Sequence, residues 1–211
     1  MPRSQEGLKR LVARQGVSDR VVAAFGVVDR ADFVPPGARG SAYLDRPVGL
    51  PEGQTTSQPS LIARMIDAAD VRAGNRVLEV GTGYGFQTAL LVELEADVTS
   101  IERFPALARD AAANLRRTGK AKAHLEVGDG WGGVAERAPF DAIIVSAEAS
   151  RVPPRLAEQL AEGGRLVIPL RSEAHGAAVF LLGKTDGALA ERRLLTPARF
   201  VPLVPFSDSG A

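Results

Sequence analysis

The sharpest limit on the fold of this chain is set by residues 77–85, which read VLEVGTGYG. The apolar run from Val77 to Val80, broken by one acid, predicts a buried strand, and three glycines at alternate positions follow it. Glycine lets a backbone adopt positive φ and approach a ligand closely. The amide groups at the start of the next helix face the same crevice. The stretch therefore predicts a strand, a tight ligand-binding turn and a helix.

The spacing of these glycines separates two kinds of cofactor. A dinucleotide fold uses G-x-G-x-x-G. Here the third glycine comes one residue early, at Gly85, and Phe86 stands where that pattern requires glycine. Glu79 precedes the turn at the end of the strand. This pattern is typical of Rossmann-like methyltransferases, whose ligand S-adenosylmethionine (SAM) has no pyrophosphate. A nicotinamide-dependent oxidoreductase remains an alternative that Phe86 disfavours.

The rest of the chain alternates between predicted helices and strands. Helices are predicted at 61–69, 86–94, 105–117 and 153–160, and strands at 76–80, 97–101, 124–127, 142–145 and 165–169. Three further strands, at 177–182, 190–195 and 200–203, are expected to finish one edge in antiparallel fashion. The predicted class is α/β: a Rossmann-like, doubly wound, mostly parallel seven-stranded sheet with helices on both faces.

The first sixty residues differ in character from the rest. Residues 6–31 have helical periodicity, and Ser18 is a good N-cap for the second of two pieces. Residues 33–59 hold five prolines and four glycines, which predicts an irregular segment, kept ordered by its apolar side chains. We expect residues 1–60 to supply a helical and irregular cap that binds substrate. Residues 61–211 would form the SAM-binding core, in one compact unit.

Composition excludes several classes of function. Lys+Arg 26 against Asp+Glu 25 gives a net charge of +1, without the positive excess that tracks nucleic acid. There is no cysteine, and the two histidines, His124 and His175, follow no zinc-ligand spacing, so no metal is expected and His124 is assigned a structural role. No apolar run approaches the roughly 20 residues that span a bilayer, and no secretory signal opens the chain. A cytoplasmic protein is expected.

Two further acids follow predicted strands. Glu102 ends the strand after the glycine turn, where a carboxylate can accept both ribose hydroxyls; the alternative is a solvated acid beside Arg103. Gly128-Asp129-Gly130 follows the third strand, where the acid can accept the adenine amino group and the glycines leave room for the base. Its alternative is a plain Asp-Gly turn. With Glu79, three carboxylates follow three successive strands.

Motifs outside the SAM-binding pattern point to one family. They read FVP at 33–35, AYLD at 42–45 and GQTTSQP at 53–59, with further matches at 77–83, 128–130, 138–141, 163–169 and 200–203. In this order and near this spacing they resemble the protein-L-isoaspartate O-methyltransferase family, from about Arg30 to Leu203. The family moves a methyl group from SAM to the free α-carboxylate of L-isoaspartyl residues in damaged proteins, which starts their repair and leaves S-adenosylhomocysteine.

The resemblance implies a role for each site residue. Ser57 would be the active-site serine, which hydrogen-bonds the acceptor carboxylate without attacking it; the alternative is that it caps the helix after it. Tyr43 would cover a ligand or pack in the core. Isoaspartyl proteins and peptides would be the partners of a monomeric enzyme. The implied acceptor wall is Gln54, Thr55, Thr56, Ser57, Val201, Pro202 and Leu203. The implied cofactor site is Glu79, Gly81, Thr82, Gly83, Tyr84, Gly85, Glu102, Arg103, Gly128, Asp129 and Gly130.

The chain departs from the family pattern at three places. These are residues 84–86, Ser146-Ala147-Glu148 after the fourth strand, and Leu170-Arg171. Glu148 would bring a negative charge near a pocket for a carboxylate. Glu148 and Arg171 therefore favour an alternative enzyme with another carboxylate acceptor, such as a peptide natural product. A SAM-binding module without turnover is the remaining alternative, and the joint presence of Ser57, Glu102 and Asp129 disfavours it.

Overall fold

The computed structural model describes residues 4–172 and 176–205, which form six α-helices and nine strands over those ranges. The helices are α1 (Gln5–Ala13), α2 (Asp19–Val27), α3 (Pro59–Ala68), α4 (Phe86–Glu93), α5 (Pro105–Arg117) and α6 (Pro154–Gln159). Two short strands, β1 (Val48–Gly49) and β2 (Thr55–Thr56), precede the main sheet. That sheet contains β3 (Arg76–Val80), β4 (Asp97–Glu102), β5 (His124–Val127), β6 (Phe140–Val145), β7 (Leu160–Ser172), β8 (Gly176–Thr185) and β9 (Ala188–Pro197).

The seven strands of the main sheet lie in the order β5-β4-β3-β6-β7-β8-β9. The pairings from β5 to β7 are parallel, and β8 and β9 add antiparallel strands at one edge. The predicted fold class is confirmed. The predicted strand at 200–203 is wrong. That stretch forms an isolated bridge between Pro202 and Glu148, because its backbone pairs with the loop after β6 and not with a neighbouring strand.

Alternate residues of the central strands enter two separate cores. Val77, Ile144 and Val167 pack in a core that also holds side chains of α1 to α5. Leu78, Ile143 and Leu166 enter the core on the opposite face, with Leu156 of α6. This period-two division is what a sheet covered on both faces requires.

The N-terminal helices pack onto the sheet. Leu8 and Phe25 are buried in the same core as Val77 of β3. Ser18 occupies the N-cap position of α2 as predicted, but its side chain makes no capping hydrogen bond. Its backbone N–H donates instead to Asp67 Oδ1 of α3 at 2.9 Å, which ties the two helices together.

A small hairpin orders the proline-rich segment that follows. β1 and β2 pair antiparallel, and the Leu50 N–H donates to the Gln54 carbonyl at 2.8 Å. Glu52 and Gly53 make the turn with φ values of 59° and 66°, in the left-handed region. The hairpin carries Thr55 and Thr56 towards the carboxyl ends of the main strands.

Membrane-spanning helices and clusters of metal-binding side chains are both absent from the described part of the chain. Among residues 4–172 and 176–205, no helix is long and apolar enough to cross a membrane. The same residues contain no group of three or more His, Asp or Glu side chains that could hold a metal ion. His124 lies 2.5 Å from Glu126 Oε1 on the exposed edge strand β5. His175 lies outside the described residues.

Candidate functional site

A cavity of about 380 Å³ opens at the carboxyl ends of β3, β4 and β6. The strand order reverses between β3 and β6, and such a switch point is where open α/β sheets bind ligands. The volume lies within the roughly 300–1,000 Å³ of small-molecule sites. The predicted site residues that line it are Gln54, Thr55, Thr56, Ser57, Gly81, Thr82, Gly83, Tyr84, Glu102, Arg103, Gly130, Val201, Pro202 and Leu203.

The glycine turn forms the floor of this cavity. Gly81, Gly83 and Gly85 have φ values of 96°, 57° and 88°, a conformation that strains any other residue. A Cβ at Gly83 would meet Leu50 of the hairpin at 3.3 Å. Gly85, which is not among the lining residues, stands at the N-cap of α4, where a Cβ would meet Leu115 of α5 at 3.3 Å. Gly85 therefore serves the packing of the turn.

Glu102, at the end of β4, has its carboxylate fixed at the cavity edge by backbone amides. Its Oε2 accepts the Gly83 N–H at 2.8 Å and its Oε1 accepts the Phe104 N–H at 3.0 Å. Burial raises the pKa of this carboxyl, and the backbone amides of Phe104, Gly83, Arg103 and Thr82 partly offset that effect. The carboxylate lies at the cavity edge. Two neighbouring hydroxyls, such as those of a ribose, can donate to the two oxygens of such a group.

Glu79 lies beneath the glycine turn and is not among the residues that line the cavity. Its Oε2 accepts from Ser100 and Thr88 at 2.6 and 2.5 Å, and its Oε1 accepts from Gln87 at 3.0 Å. The network continues to two cavity residues, from Ser100 to Thr82 at 2.6 Å and from Gln87 to Ser146 at 3.2 Å. Glu79 thus orients the polar side chains that face a ligand.

Glu79 makes the stability of the ligand-free protein depend on pH. Burial raises its pKa from 4.5 to about 7, so the folded state binds a proton that the unfolded state releases between these values. The free energy of unfolding is expected to fall as the pH rises through this window, by at most about 1.4 kcal/mol per pH unit. Glu79→Gln should reduce that slope, because an amide binds no proton in this range. The variant should still fold, because the hydroxyls of Thr88 and Ser100 can rotate to suit an amide.

Urea unfolding of both proteins at several pH values checks this prediction. Glu136→Gln, a change of an exposed acid in the short 3-10 helix Ala135–Arg137, is the matched control and should keep the wild-type slope. Burial also raises the pKa of Glu102. Glu79→Gln should therefore keep a smaller slope of the same sign. An unchanged slope in Glu79→Gln would contradict the assignment.

The three residues of the predicted 128–130 motif differ in whether they line the cavity. Gly130 lines the cavity, and a Cβ there would lie 2.5 Å from Val80 Cγ1 and 3.1 Å from Leu203 Cδ1. Gly128 and Asp129 are not among the described residues that line it. Asp129 Oδ1 accepts the Trp131 N–H at 2.9 Å, so this acid shapes its own turn. Its contact with adenine stays a prediction.

The segment 201–205 closes one side of the cavity. The Leu203 N–H donates to the Glu148 carbonyl at 2.7 Å, and Trp131 Nε1 donates to the Leu203 carbonyl at 2.9 Å. Arg103 Nη1 donates to the carbonyls of Val204 and, at 3.0 Å, Pro205. Arg103, predicted to bind the cofactor, therefore also fastens this segment across the opening.

Glu148 is not among the residues that line the cavity that its charge was expected to disturb. Its Oε1 lies 2.6 Å from Arg171 Nε, and its side chain is 10% exposed. The two departures from the family pattern that favoured another acceptor thus form one ion pair, which compensates the negative charge.

Ser57 stands between the main cavity and a second cavity of about 120 Å³, and it lines both. The capping alternative for it is wrong, because Gln58 occupies the N-cap position of α3. The side chain that serves the α3 terminus is Asp45, whose Oδ1 accepts the Ser60 N–H at 2.9 Å. Tyr43 donates its hydroxyl to Asp29 Oδ2 at 3.2 Å and packs against the core, which favours the core-packing alternative for it.

Sequence reasoning missed several lining residues, among them Phe86, Gln87, Phe104, Leu107 and Ser146. A signal was present for two of them. Ser146 directly follows β6, the position that singled out Glu102 after β4. Gln87 is a polar residue in the first turn of α4, directly after the glycine turn.

The sequence matches the family described as protein-L-isoaspartate(D-aspartate) O-methyltransferase over residues 3–207. A protein-L-isoaspartate O-methyltransferase of Opitutus terrae is 46% identical over 194 residues, covering 92% of this chain and 83% of the relative. A protein-L-isoaspartate O-methyltransferase of Anaeromyxobacter dehalogenans is 46% identical over 198 residues, covering 93% of this chain and 95% of the relative.

Solved structures agree in fold. A protein-L-isoaspartate O-methyltransferase superposes with a TM-score of 0.84 at 30% identity, and the match covers 94% of this chain and 65% of that one. A Plasmodium falciparum protein described as a putative protein-L-isoaspartate O-methyltransferase, in complex with S-adenosylhomocysteine, also gives a TM-score of 0.84. It is 24% identical, and the match covers 96% and 99% of the two chains.

Proposed function

The chain belongs to the protein-L-isoaspartate(D-aspartate) O-methyltransferase family, and we propose that it methylates the free α-carboxylate of L-isoaspartyl residues. SAM supplies an electrophilic methyl group on its sulfonium. Isoaspartyl proteins and peptides are the acceptors, and S-adenosylhomocysteine is the product. The methyl ester formed in this reaction cyclises without help to a succinimide, which hydrolyses in part to normal aspartate.

The observation that carries the cofactor assignment is Glu102. Its two oxygens accept from the Gly83 and Phe104 amides and stand at a cavity edge, where the two hydroxyls of a ribose would donate to them. The adjacent glycine turn brings backbone atoms within reach of a ligand that has no pyrophosphate. These features support SAM over a dinucleotide. Glu79 would support the same site from below through Gln87 and Thr82.

The acceptor side rests on Ser57 and its surroundings. Residues Thr55, Ser57, Ser146 and Val201 line both cavities, so a chain whose carboxylate reaches Ser57 finds room next to it for a neighbouring residue. The Ser57 hydroxyl would donate to the acceptor carboxylate. That carboxylate is already ionised at neutral pH, so the reaction needs no general base. The protein's part is then to align the two reactants and exclude water.

The division of the chain follows from these roles. Residues 1–60 would provide the acceptor wall and 61–211 the cofactor site, with Val201, Pro202 and Leu203 completing the groove. A cytoplasmic location and a monomeric state, expected from the sequence, stay predictions, as does the absence of nucleic-acid and membrane partners.

Ser57→Ala separates acceptor binding from cofactor binding. At saturating SAM, methylation of an isoaspartyl peptide should fall about tenfold or more, because a hydrogen bond to a charged group contributes about 1.5–3 kcal/mol. The affinity for S-adenosylhomocysteine, measured by calorimetry, should stay nearly unchanged.

Ser41→Ala is the matched control for this variant. Ser41 lies in the same N-terminal segment, accepts from Arg46 Nη2 at 2.9 Å, and is not a lining residue, so its loss should leave the rate unchanged. Full activity per folded molecule in Ser57→Ala would remove the serine from the mechanism.

A further inference from the structure

Arg30 carries a charge into the interior without a carboxylate to bind it. Its relative exposure is 0%, and its guanidinium donates to four backbone carbonyls. Nη1 donates to Ala42 and Leu44 at 2.9 and 3.1 Å, and Nη2 donates to Arg46 and Ser57 at 3.2 and 3.0 Å. Within the described ranges, no acidic side chain lies within salt-bridge distance of it.

Burying the Arg30 guanidinium carries a desolvation penalty, which its hydrogen bonds must offset. Burial lowers the pKa of Arg30 to about 10, against a smaller opposing effect of Asp45, so the side chain stays protonated at neutral pH. A buried charge is retained only when hydrogen bonds of good geometry compensate for lost hydration. The planar guanidinium presents its donors in a fixed fork. It therefore fixes the relative positions of the carbonyls that it binds.

Those carbonyls belong to two stretches that must meet at the site. Three come from residues 42–46, and the fourth is that of Ser57 itself. In the same cluster, Asp45 accepts the Ser60 N–H at the start of α3. Arg30 thus joins the backbone of the acceptor serine to the loop that also anchors the helix after it.

The opposite side of Arg30 contacts the cofactor half of the cavity. Its guanidinium carbon lies 5.8 Å from the centre of the Phe86 ring. Phe86 is the first residue of α4, directly after the glycine turn, and it lines the cavity. One side chain therefore spans from the Ser57 carbonyl to the helix that starts at the SAM-binding turn.

We propose that Arg30 is the positioning residue that sets Ser57 against the glycine turn, and so places the acceptor carboxylate in line with the methyl group. Arg30 is not among the lining residues and acts only through the Ser57 backbone and Phe86. This role rests on the proposed function, because it concerns the same acceptor site. Displacing a reacting atom by about 1 Å costs on the order of a hundredfold in rate.

The test uses Arg30→Lys and Arg30→Met in the full chain. Lysine keeps the charge but donates from a single nitrogen, so it cannot hold four carbonyls in the same arrangement. We expect Arg30→Lys to lower kcat/KM for an isoaspartyl peptide at least about tenfold, with a higher peptide KM. Its dissociation constant for S-adenosylhomocysteine should stay within about twofold of wild type, because the cofactor contacts remain. Arg30→Met should show the larger loss.

The control is Leu8→Ala, a buried change in α1 that should also lower the melting temperature, at a residue that lines neither cavity. It should leave kcat/KM per folded molecule unchanged. Arg30 would be a purely structural residue if Arg30→Lys, once folded, kept the wild-type kcat/KM while its melting temperature fell. Failure of the wild type itself on isoaspartyl peptides would instead overturn the proposed function. If Arg30→Met does not fold, Arg30→Lys still decides the question.

Discussion

Glu102→Ala is expected to weaken the binding of S-adenosylhomocysteine by about 2–4 kcal/mol, roughly 30-fold to 1,000-fold in the dissociation constant. The carboxylate would form two charge-assisted hydrogen bonds to the ribose, one from each oxygen. Its removal also leaves the Gly83 and Phe104 amides without their acceptor. The turn that receives the ligand would then lose one of its links to β4, while the Gly81 N–H still donates to the Ile101 carbonyl at 2.9 Å.

Calorimetry on purified protein measures this effect directly. Glu102→Gln keeps one acceptor oxygen and should fall between wild type and Glu102→Ala. Glu126→Ala, on the exposed edge strand β5, should bind as the wild type does. Unchanged affinity in a folded Glu102→Ala protein would remove Glu102 from the cofactor site.

Discrimination between isoaspartate and aspartate should be at least about a hundredfold in kcat/KM. The two residues carry the same charge and differ in whether one methylene lies in the backbone or in the side chain. Recognition must therefore sense where the carboxylate sits relative to the peptide chain. The hairpin β1–β2 and the four carbonyl contacts of Arg30 would hold the proposed acceptor wall in one arrangement. A wall that adapted to either peptide would lose this selectivity.

The elements with a strong local pattern were predicted well from the sequence. The glycine turn, the carboxyl end of β4 and the buried strand β6 depend on neighbours within a few residues, and periodicity reports such neighbours. The stretch 200–203 is equally apolar, yet it pairs with Glu148, more than fifty residues earlier in the chain. Pro202, which has no N–H to donate to a ladder, is the one residue of the stretch that disfavours a regular strand, but it does not reveal the partner.

Some functional roles could not be predicted from the sequence, because they too depend on contacts between residues that are distant in the chain. The resemblance implies that Glu79 belongs to the cofactor site, and in the structure Ser100, twenty-one residues away, helps to hold it beneath the turn. Nothing in the sequence indicates a functional role for Arg30, which only marks the point where the resemblance to the family begins. Its role depends on carbonyls up to twenty-seven residues away, and a backbone carbonyl carries no mark in the sequence. Polar networks closed by long-range contacts are visible only once the chain is folded.

The central claim is the identity of the acceptor, and methyl transfer to a pair of peptides tests it most directly. The peptides share one sequence and differ only in carrying isoaspartate or normal aspartate, and each is incubated with radiolabelled SAM and purified protein. We predict label on the isoaspartyl peptide alone, as an ester that mild base removes, accompanied by succinimide. Protein that binds S-adenosylhomocysteine yet puts no base-labile methyl on several isoaspartyl peptides would contradict the account, and a different carboxylate acceptor would then be indicated.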